Sequence, residues 1–92
     1  MNKFISIPLL FFIAVLTVDA ATLSDAKMAI RTRDFAKAVK VLDTLSRKGD
    51  KEAQYHLAVL YRNGQGTRED TNKAAYWMKK SANQGFKRAQ YS

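Results

Sequence analysis

The amino-acid sequence predicts an all-α fold, a short α-solenoid built from antiparallel helix pairs. The first observation is an internal repeat: residues 34–56 align with residues 70–92 at an offset of 36 positions, and eight of the 23 aligned pairs are identical. A fixed period of this length is typical of helical-repeat solenoids. The second observation is that apolar residues beyond position 20 recur at helical spacing, whereas no segment there alternates apolar and polar residues over strand length.

Residues 1–20 predict a signal peptide for export. Lys3 precedes a largely apolar run over residues 4–18, and small or modest side chains stand before a cleavage site after Ala20. These are the parts of a secretory signal peptide. The alternative is an uncleaved anchor that holds the protein in a membrane through residues 4–18, although a span needs about 20 apolar residues. In either case we expect the rest of the chain to be exported, to the periplasm or as a secreted protein.

The first, atypical helix pair is predicted over residues 21–48. Thr22 or Ser24 can cap its first helix, at 21–30, because a side-chain hydroxyl accepts hydrogen bonds from amide groups of the first turn. Asp34 is a suitable N-cap for the second helix, since its negative charge also suits the positive end of the helix dipole. The apolar stripes are Leu23, Ala26 and Ile30 on the first helix and Phe35, Ala38, Leu42 and Leu45 on the second.

Residues 49–84 predict a full repeat. Asp50 can cap a first helix at about 51–63, and Asp70 or Thr71 can cap a second helix that runs to about residue 84. Glycines follow the helices, as expected of residues that adopt the left-handed conformation without penalty. The inward-facing residues are Ala53, Leu57, Leu60 and Tyr61 on the first helix and Ala74, Trp77, Met78, Ser81 and Ala82 on the second.

Residues 85–92 predict the truncated start of a further repeat. Stacked repeats normally need about three units for a continuous core, and this chain has about two. The sequence leaves three explanations open. The chain is the front of a longer array, it pairs with another copy as a homo-oligomer, or it is only marginally stable.

A resemblance to a known family covers one complete unit. Residues 53–67, AQYHLAVLYRNGQGT, resemble the first half of a Sel-1-like repeat, a helix pair related to the tetratricopeptide repeat. Residues 70–85, DTNKAAYWMKKSANQG, resemble its second half. Small, aromatic and glycine positions agree, except that Ala58 stands where the family usually has glycine. The resemblance implies a scaffold for protein–protein interaction and does not identify the partner.

The residues offer no complete catalytic, metal or cofactor site. His56 is the single histidine and the chain has no cysteine, so neither a hydrolytic triad nor a structural zinc site can be completed. The adjacent acids Glu69 and Asp70 precede a helix, where capping explains them. Residues 64–66, GQG, lack the lysine and hydroxyl residue of a phosphate-binding loop. The sequence therefore predicts a protein that is not an enzyme and uses no cofactor or metal.

The candidate binding residues lie on the third predicted helix. Tyr55, His56, Val59 and Arg62 can line the inner surface that is formed by the first helices of successive repeats, a surface that solenoids commonly use for binding. Ordinary exposure to solvent is the simpler expectation for His56, because it lies off the apolar stripe. The partner that we expect on this surface is another protein or a peptide.

The positive charge of the chain supports an alternative function. The net charge is +8, from 16 basic and 8 acidic residues, and such an excess favours an anionic polymer or an acidic membrane surface. Nucleic acid is a weaker expectation because an exported protein seldom meets it. A solvated, solubilising surface explains the same charge without any partner. The basic residues that can form a stripe along the stack are Lys37, Lys40, Arg47, Lys48, Lys79 and Lys80.

Overall fold

The computed structural model describes residues 21–91, and all regular structure in that range is helical. The predicted signal peptide or anchor, residues 1–20, lies outside the described range. Among residues 21–91, no helix is long and apolar enough to cross a membrane. The helices are α1 (Leu23–Arg31), α2 (Phe35–Arg47), α3 (Lys51–Asn63), α4 (Thr71–Asn83) and α5 (Lys87–Gln90).

The helices stack in the order of the sequence. The main packing contacts join α1 to α2, α2 to α3, α3 to α4 and α4 to α5. Short links between consecutive helices reverse the chain direction, so each helix packs against the one before it. This arrangement confirms the predicted short solenoid of helix pairs.

The predicted N-caps are present. Thr22 and Asp25 form a capping box at the start of α1, which therefore begins at Leu23 and not at residue 21. An aspartate side chain caps each of the next three helices by accepting a hydrogen bond from an amide of the first turn, as expected of this residue type. These pairs are Asp34 with the Lys37 amide (3.3 Å), Asp50 with the Ala53 amide (2.9 Å) and Asp70 with the Lys73 amide (3.0 Å).

One hydrogen-bonding pattern ends three of the helices. The amide of Asp50 donates to the carbonyl of Leu45, and 36 residues later the amide of Phe86 donates to that of Ser81. The residues just before them, Gly49 and Gly85, have positive φ values of 101° and 86°. A left-handed residue at the end of a helix, followed by a residue whose amide donates to a carbonyl of the last helical turn, is the Schellman motif. At the end of α1 the same position is taken by Arg33, whose φ is 63°.

The core consists of small and branched apolar side chains between consecutive helices. Leu42 on α2 and Leu57 on α3 are fully buried, and small alanines surround them. Ala58 is also fully buried, which explains why a small side chain is required at that position. Tyr61 and Trp77 are half-buried and pack on the edge of the cluster. Its buried members are Ala26, Ala29, Ala38, Leu42, Ala53, Leu57 and Leu60.

Glutamine side chains join the last helix of one repeat to the first helix of the next. The Gln54 side-chain amide donates to the carbonyl of Ser46 over 3.1 Å, and Gln90 donates to Ala82 over the same distance. Both residues of the second pair lie 36 positions after those of the first, so the hydrogen bond recurs with the repeat. Gln84 also donates to the side-chain oxygen of Gln54 over 2.7 Å, which links α4 to α3.

The loop between α3 and α4 contacts the preceding repeat. Gly66 has a φ of 74°, and a Cβ atom at this position would overlap the carbonyl group of Phe35 and lie 2.9 Å from the amide nitrogen of Ala36. Glycine therefore serves two needs here, a left-handed backbone and close contact with the first turn of α2.

We predict that Gly66→Ala destabilises the protein by about 2–4 kcal/mol, because the left-handed conformation and the backbone overlap both oppose a methyl group. The matched control is Gly85→Ala, which also has a positive φ but has no atom within 4 Å of the added Cβ. That control should cost only about 1 kcal/mol. Urea unfolding followed by circular dichroism measures both values, and equal losses would show that the contact with α2 is unimportant.

We predict that Gln54→Ala costs about 1–3 kcal/mol in the free energy of unfolding, because it removes two hydrogen bonds at a buried position. Gln90→Ala is the control, since it removes the equivalent bond one repeat later at an exposed position and should cost about 0.5 kcal/mol. Chemical denaturation of the two variants checks the difference. A Gln90→Ala loss as large as that of Gln54→Ala would contradict the explanation by burial.

Candidate functional site

The first helices of successive repeats form one groove. We call this cavity of about 300 Å³ the inner groove. It receives side chains from α1, α3 and α5, which are the helices that the repeat pattern assigns to the inner surface. Its lining residues are Lys27, Ile30 and Arg31 on α1, Glu52 and His56 on α3, and Arg88 on α5.

An ion pair between Lys27 and Glu52 connects α1 to α3 inside the groove. The hydrogen bond from Lys27 is the largest cause of the lowered pKa of Glu52, with a smaller contribution from His56. Because both side chains are partly exposed, the pair contributes modestly to stability and mainly fixes the positions of the two side chains.

His56 lies on the floor of the inner groove. Its side chain is 18% exposed, and its Nε2 lies 3.4 Å from the Glu52 carboxylate. Burial lowers the pKa of His56, although the hydrogen bond and charge of Glu52 oppose the shift. The expectation that this residue is an ordinary surface side chain is therefore wrong, because the residues of α1 cover that side of α3.

Tyr55 fixes α5 against α3. The centroid of its ring lies 5.3 Å from that of Phe86 and 5.4 Å from that of the His56 ring, in a T-shaped arrangement with His56. The guanidinium carbon of Arg88 lies 5.0 Å from the centroid of the Tyr55 ring. Such contacts between a cation and an aromatic face are attractive. Tyr55 therefore helps to position His56 and Arg88, two residues that line the groove.

The structure separates the four candidate residues. Tyr55 and His56 are in contact at the inner groove, and half-buried Val59 lies one helical turn further along α3. Arg62 lines a different cavity, of about 210 Å³, which we call the end groove. The end groove lies between α3 and α4, and its residues are Arg62, Thr71, Ala74, Ala75 and Met78.

Sequence reasoning missed four residues of the inner groove: Lys27, Arg31, Glu52 and Arg88. Glu52 precedes His56 by four positions, and this helical spacing could have identified it as a neighbour. Lys27 and Arg31 also lie four positions apart, on one side of α1. No local pattern indicates that α1 and α5 bring their basic residues to the same side of α3.

A third cavity, of about 420 Å³, lies on the opposite side of the stack between α2, α3 and α4, and we call it the outer groove. Arg47 and Lys80 of the predicted basic stripe both line it, whereas Lys37, Lys40, Lys48 and Lys79 are exposed elsewhere. The Lys80 ammonium lies 5.3 Å from the centroid of the Tyr76 ring and 5.7 Å from that of Trp77. The lining residues are Asp43, Arg47, Tyr61, Lys73, Tyr76, Trp77 and Lys80.

The described residues contain no group of three or more histidine, cysteine or acidic side chains that could hold a metal ion. The single acid of the inner groove, Glu52, is already bound to Lys27 and His56. The chemistry available there is ionic, hydrogen-bonding and apolar contact with a ligand.

We predict that stability decreases as the pH falls below about 6.5, the ordinary pKa of histidine. The folded protein binds a proton at His56 more weakly than the unfolded chain does, so acid favours unfolding. The hydrogen bond from Lys27 lowers the pKa of Glu52, so the titration of this carboxylate lies below the pH range in which His56 titrates. Melting temperatures of the wild type and His56→Gln check this, with a flatter pH dependence expected for the variant. Identical profiles would contradict the role of His56.

Comparison with known proteins agrees with this architecture. Residues 51–86 match the family model described as Sel1 repeat. The comparisons with curated proteins and with solved structures gave no significant match. Sel1 repeats commonly mediate protein–protein interaction, and the family is typically non-catalytic. The matched residues comprise α3, α4 and the turn that follows them, and this part of the chain is a Sel1-like repeat.

Proposed function

We propose that this protein is an exported, non-catalytic scaffold that binds another protein or a peptide on the inner face formed by α1, α3 and α5. The observation that carries the proposal is the inner groove itself, to which all three helices contribute side chains. A surface assembled from successive repeats offers a partner an extended contact area, which is how solenoids commonly bind.

The chemistry of the inner groove suits a partner segment with acidic side chains. Lys27, Arg31 and Arg88 supply three positive charges, whereas Glu52 supplies one negative charge that already pairs with Lys27. His56 is neutral near pH 7, because its pKa is lowered by burial. Ile30 adds an apolar contact, so the groove combines charge attraction with burial of apolar surface.

Export is supported by the sequence of residues 1–20, with its basic start, its apolar run over residues 4–18 and small residues before position 21. The rest of the chain has no cysteine whose redox state would depend on the compartment. Export would place the inner face in the periplasm or outside the cell, in contact with envelope or secreted proteins.

A second candidate function is binding of an anionic envelope polymer or membrane surface through the outer groove. This alternative is supported by Arg47, Lys73 and Lys80, which surround the aromatic side chains of Tyr76 and Trp77. Asp43 offsets part of this charge, because its carboxylate lies 3.0 Å from Arg47 Nε. The net positive charge of the outer groove is therefore similar to that of the inner groove, and an experiment has to separate the two functions.

We predict that a photoreactive benzoylphenylalanine at position 31 crosslinks this protein to a partner protein in the cells that produce it. Arg31 is exposed and lines the inner groove, so the probe should contact a bound partner without disturbing the core. Mass spectrometry of the purified adduct identifies the partner. N-terminal sequencing of the same material should start at Ala21 if the signal peptide is cleaved.

The matched control is the same probe at Lys80, an exposed basic position in the outer groove. A protein adduct that forms from position 31 and not from position 80 supports binding on the inner face. Adducts with a glycan or lipid that form from position 80 alone would favour the second function. Adducts of one protein from both positions at equal yield would contradict a specific inner face.

A further inference from the structure

We propose that the outer groove binds an acidic polysaccharide, a chain of sugar residues that carry carboxylate groups. Such a ligand falls within the second candidate function, on which the proposal rests, and narrows the partner to one class of polymer. All residues of the outer groove belong to α2, α3 and α4, so its shape is set within two consecutive helix pairs. Its volume of about 420 Å³ is that of a typical ligand-binding cleft.

Aromatic rings supply the apolar part of the outer groove. Tyr61 and Trp77 are half-buried, whereas Tyr76 is 54% exposed. The centroids of the Tyr76 and Trp77 rings lie 5.0 Å apart, and the two rings stand nearly perpendicular, at 80°. A sugar ring presents a flat face of C–H groups, whose partial positive charge suits the negative face of an aromatic ring. The rings therefore favour a ligand with rigid apolar faces.

Two lysine side chains show that these ring faces accept positive groups. The Lys73 ammonium lies 5.4 Å from the centroid of the Tyr61 ring. Lys80 lies over the rings of Tyr76 and Trp77 and donates a hydrogen bond to the Tyr76 hydroxyl over 3.4 Å. Such contacts are weak at exposed sites, and both lysines are exposed. These flexible side chains can therefore turn to the carboxylates of a ligand while its C–H groups take their place on the rings.

The charges of the outer groove are too sparse for a dense polyanion. Arg47, Lys73 and Lys80 supply three positive charges, and Asp43 supplies one negative charge. Lys73 and Lys80 lie seven positions apart on α4, which is about 10 Å along the helix axis. A phosphate backbone carries a charge about every 3.4 Å along a strand, so most of its phosphates would lack a partner here. Sugar residues bring one carboxylate per ring and space their charges more widely.

Asp43 indicates a ligand that donates hydrogen bonds. Its Oδ2 atom lies 3.0 Å from Arg47 Nε, and an ionised carboxylate can accept further bonds. Sugar hydroxyl groups are such donors, whereas ionised phosphates and carboxylates are not. The hydroxyl groups of Tyr61 and Tyr76 can bond to the same kind of ligand. The outer groove thus has a partner for each part of an acidic sugar: its C–H face, its hydroxyl groups and its carboxylate.

A membrane surface or an acidic peptide is a poorer fit. Proteins that lie on a bilayer bury apolar side chains in it beside their basic residues. Among residues 21–91, the exposed large apolar or aromatic side chains are Met28, Tyr76 and Tyr91, and only Tyr76 lines the outer groove. Half-buried Tyr61 and Trp77 lie where a flat surface does not reach them. A peptide of acidic residues supplies carboxylates without a rigid apolar face for the rings.

The test uses the intrinsic fluorescence of Trp77, which is the single tryptophan of the chain and lines the outer groove. The full chain is titrated with hexagalacturonate, a sugar oligomer with a carboxylate on every ring. We expect a saturable change in emission and an affinity that falls as the salt concentration rises. The methyl ester of the same oligomer keeps the rings but removes the charges, and it should bind at least about tenfold more weakly.

Matched variants locate the binding site. Lys80→Glu and Lys79→Glu make the same change of charge at adjacent exposed positions of α4, but only Lys80 lines the outer groove. Lys80→Glu should weaken binding at least about tenfold, and Lys79→Glu by less than about threefold. Tyr76→Ala should also weaken binding about tenfold, because it removes an exposed ring face. Equal affinities of the two lysine variants would overturn the proposal.

Two further ligands separate the proposal from the second candidate function. Binding of phosphatidylglycerol vesicles without binding of hexagalacturonate would overturn the sugar ligand and keep the second function, with a membrane as the partner. A capped hexaglutamate peptide carries as many carboxylates as the oligomer, so an equal affinity for it would overturn the proposal by showing that charge alone is recognised. Unchanged Trp77 emission with both the oligomer and the vesicles would contradict the proposal and the second function together.

Discussion

The structure depends on the position of α3 in the groove between α1 and α2. Leu57 and Leu60 enter that groove, and Leu42 together with small residues such as Ala26 and Ala38 receives them. Small side chains let the helix axes come close, so that the apolar contacts exclude water along the length of α3. Without this contact the two helix pairs would be separate hairpins, each with one apolar side exposed, and neither would be stable alone.

Polar groups give the stack its register. Apolar packing alone tolerates small shifts of one helix along another, whereas a hydrogen bond requires a fixed distance and direction. The Gln54 side chain bonds the end of α2, and Ser81 Oγ donates to the carbonyl of Lys51 over 2.7 Å at the start of α3. These bonds, with the recurring turns at Gly49 and Gly85, explain why identities at the 36-residue offset concentrate at helix ends as well as in the core.

Much of the fold could be predicted from the sequence, because caps and helix-ending glycines are local signals. The bounds of α3 agree with the expectation of 51–63, and Asp34, Asp50 and Asp70 cap their helices as expected. The candidate site could be predicted only in part. The burial of His56 depends on α1, which is distant in sequence. The separation of His56 from Arg62 could have been predicted, because six positions along α3 place them about 120° apart around the helix.

The loop contact at Gly66 has a consequence for how surfaces of this protein can change. A Cβ atom on Gly66 would overlap the carbonyl group of Phe35, so main-chain atoms of the loop and of α2 lie close together and constrain the angle between successive helix pairs. The curvature of a solenoid follows from that angle. Exposed side chains on the concave side, such as Arg31, can therefore be exchanged without altering its shape, and recognition of different ligands can evolve on an unchanged frame.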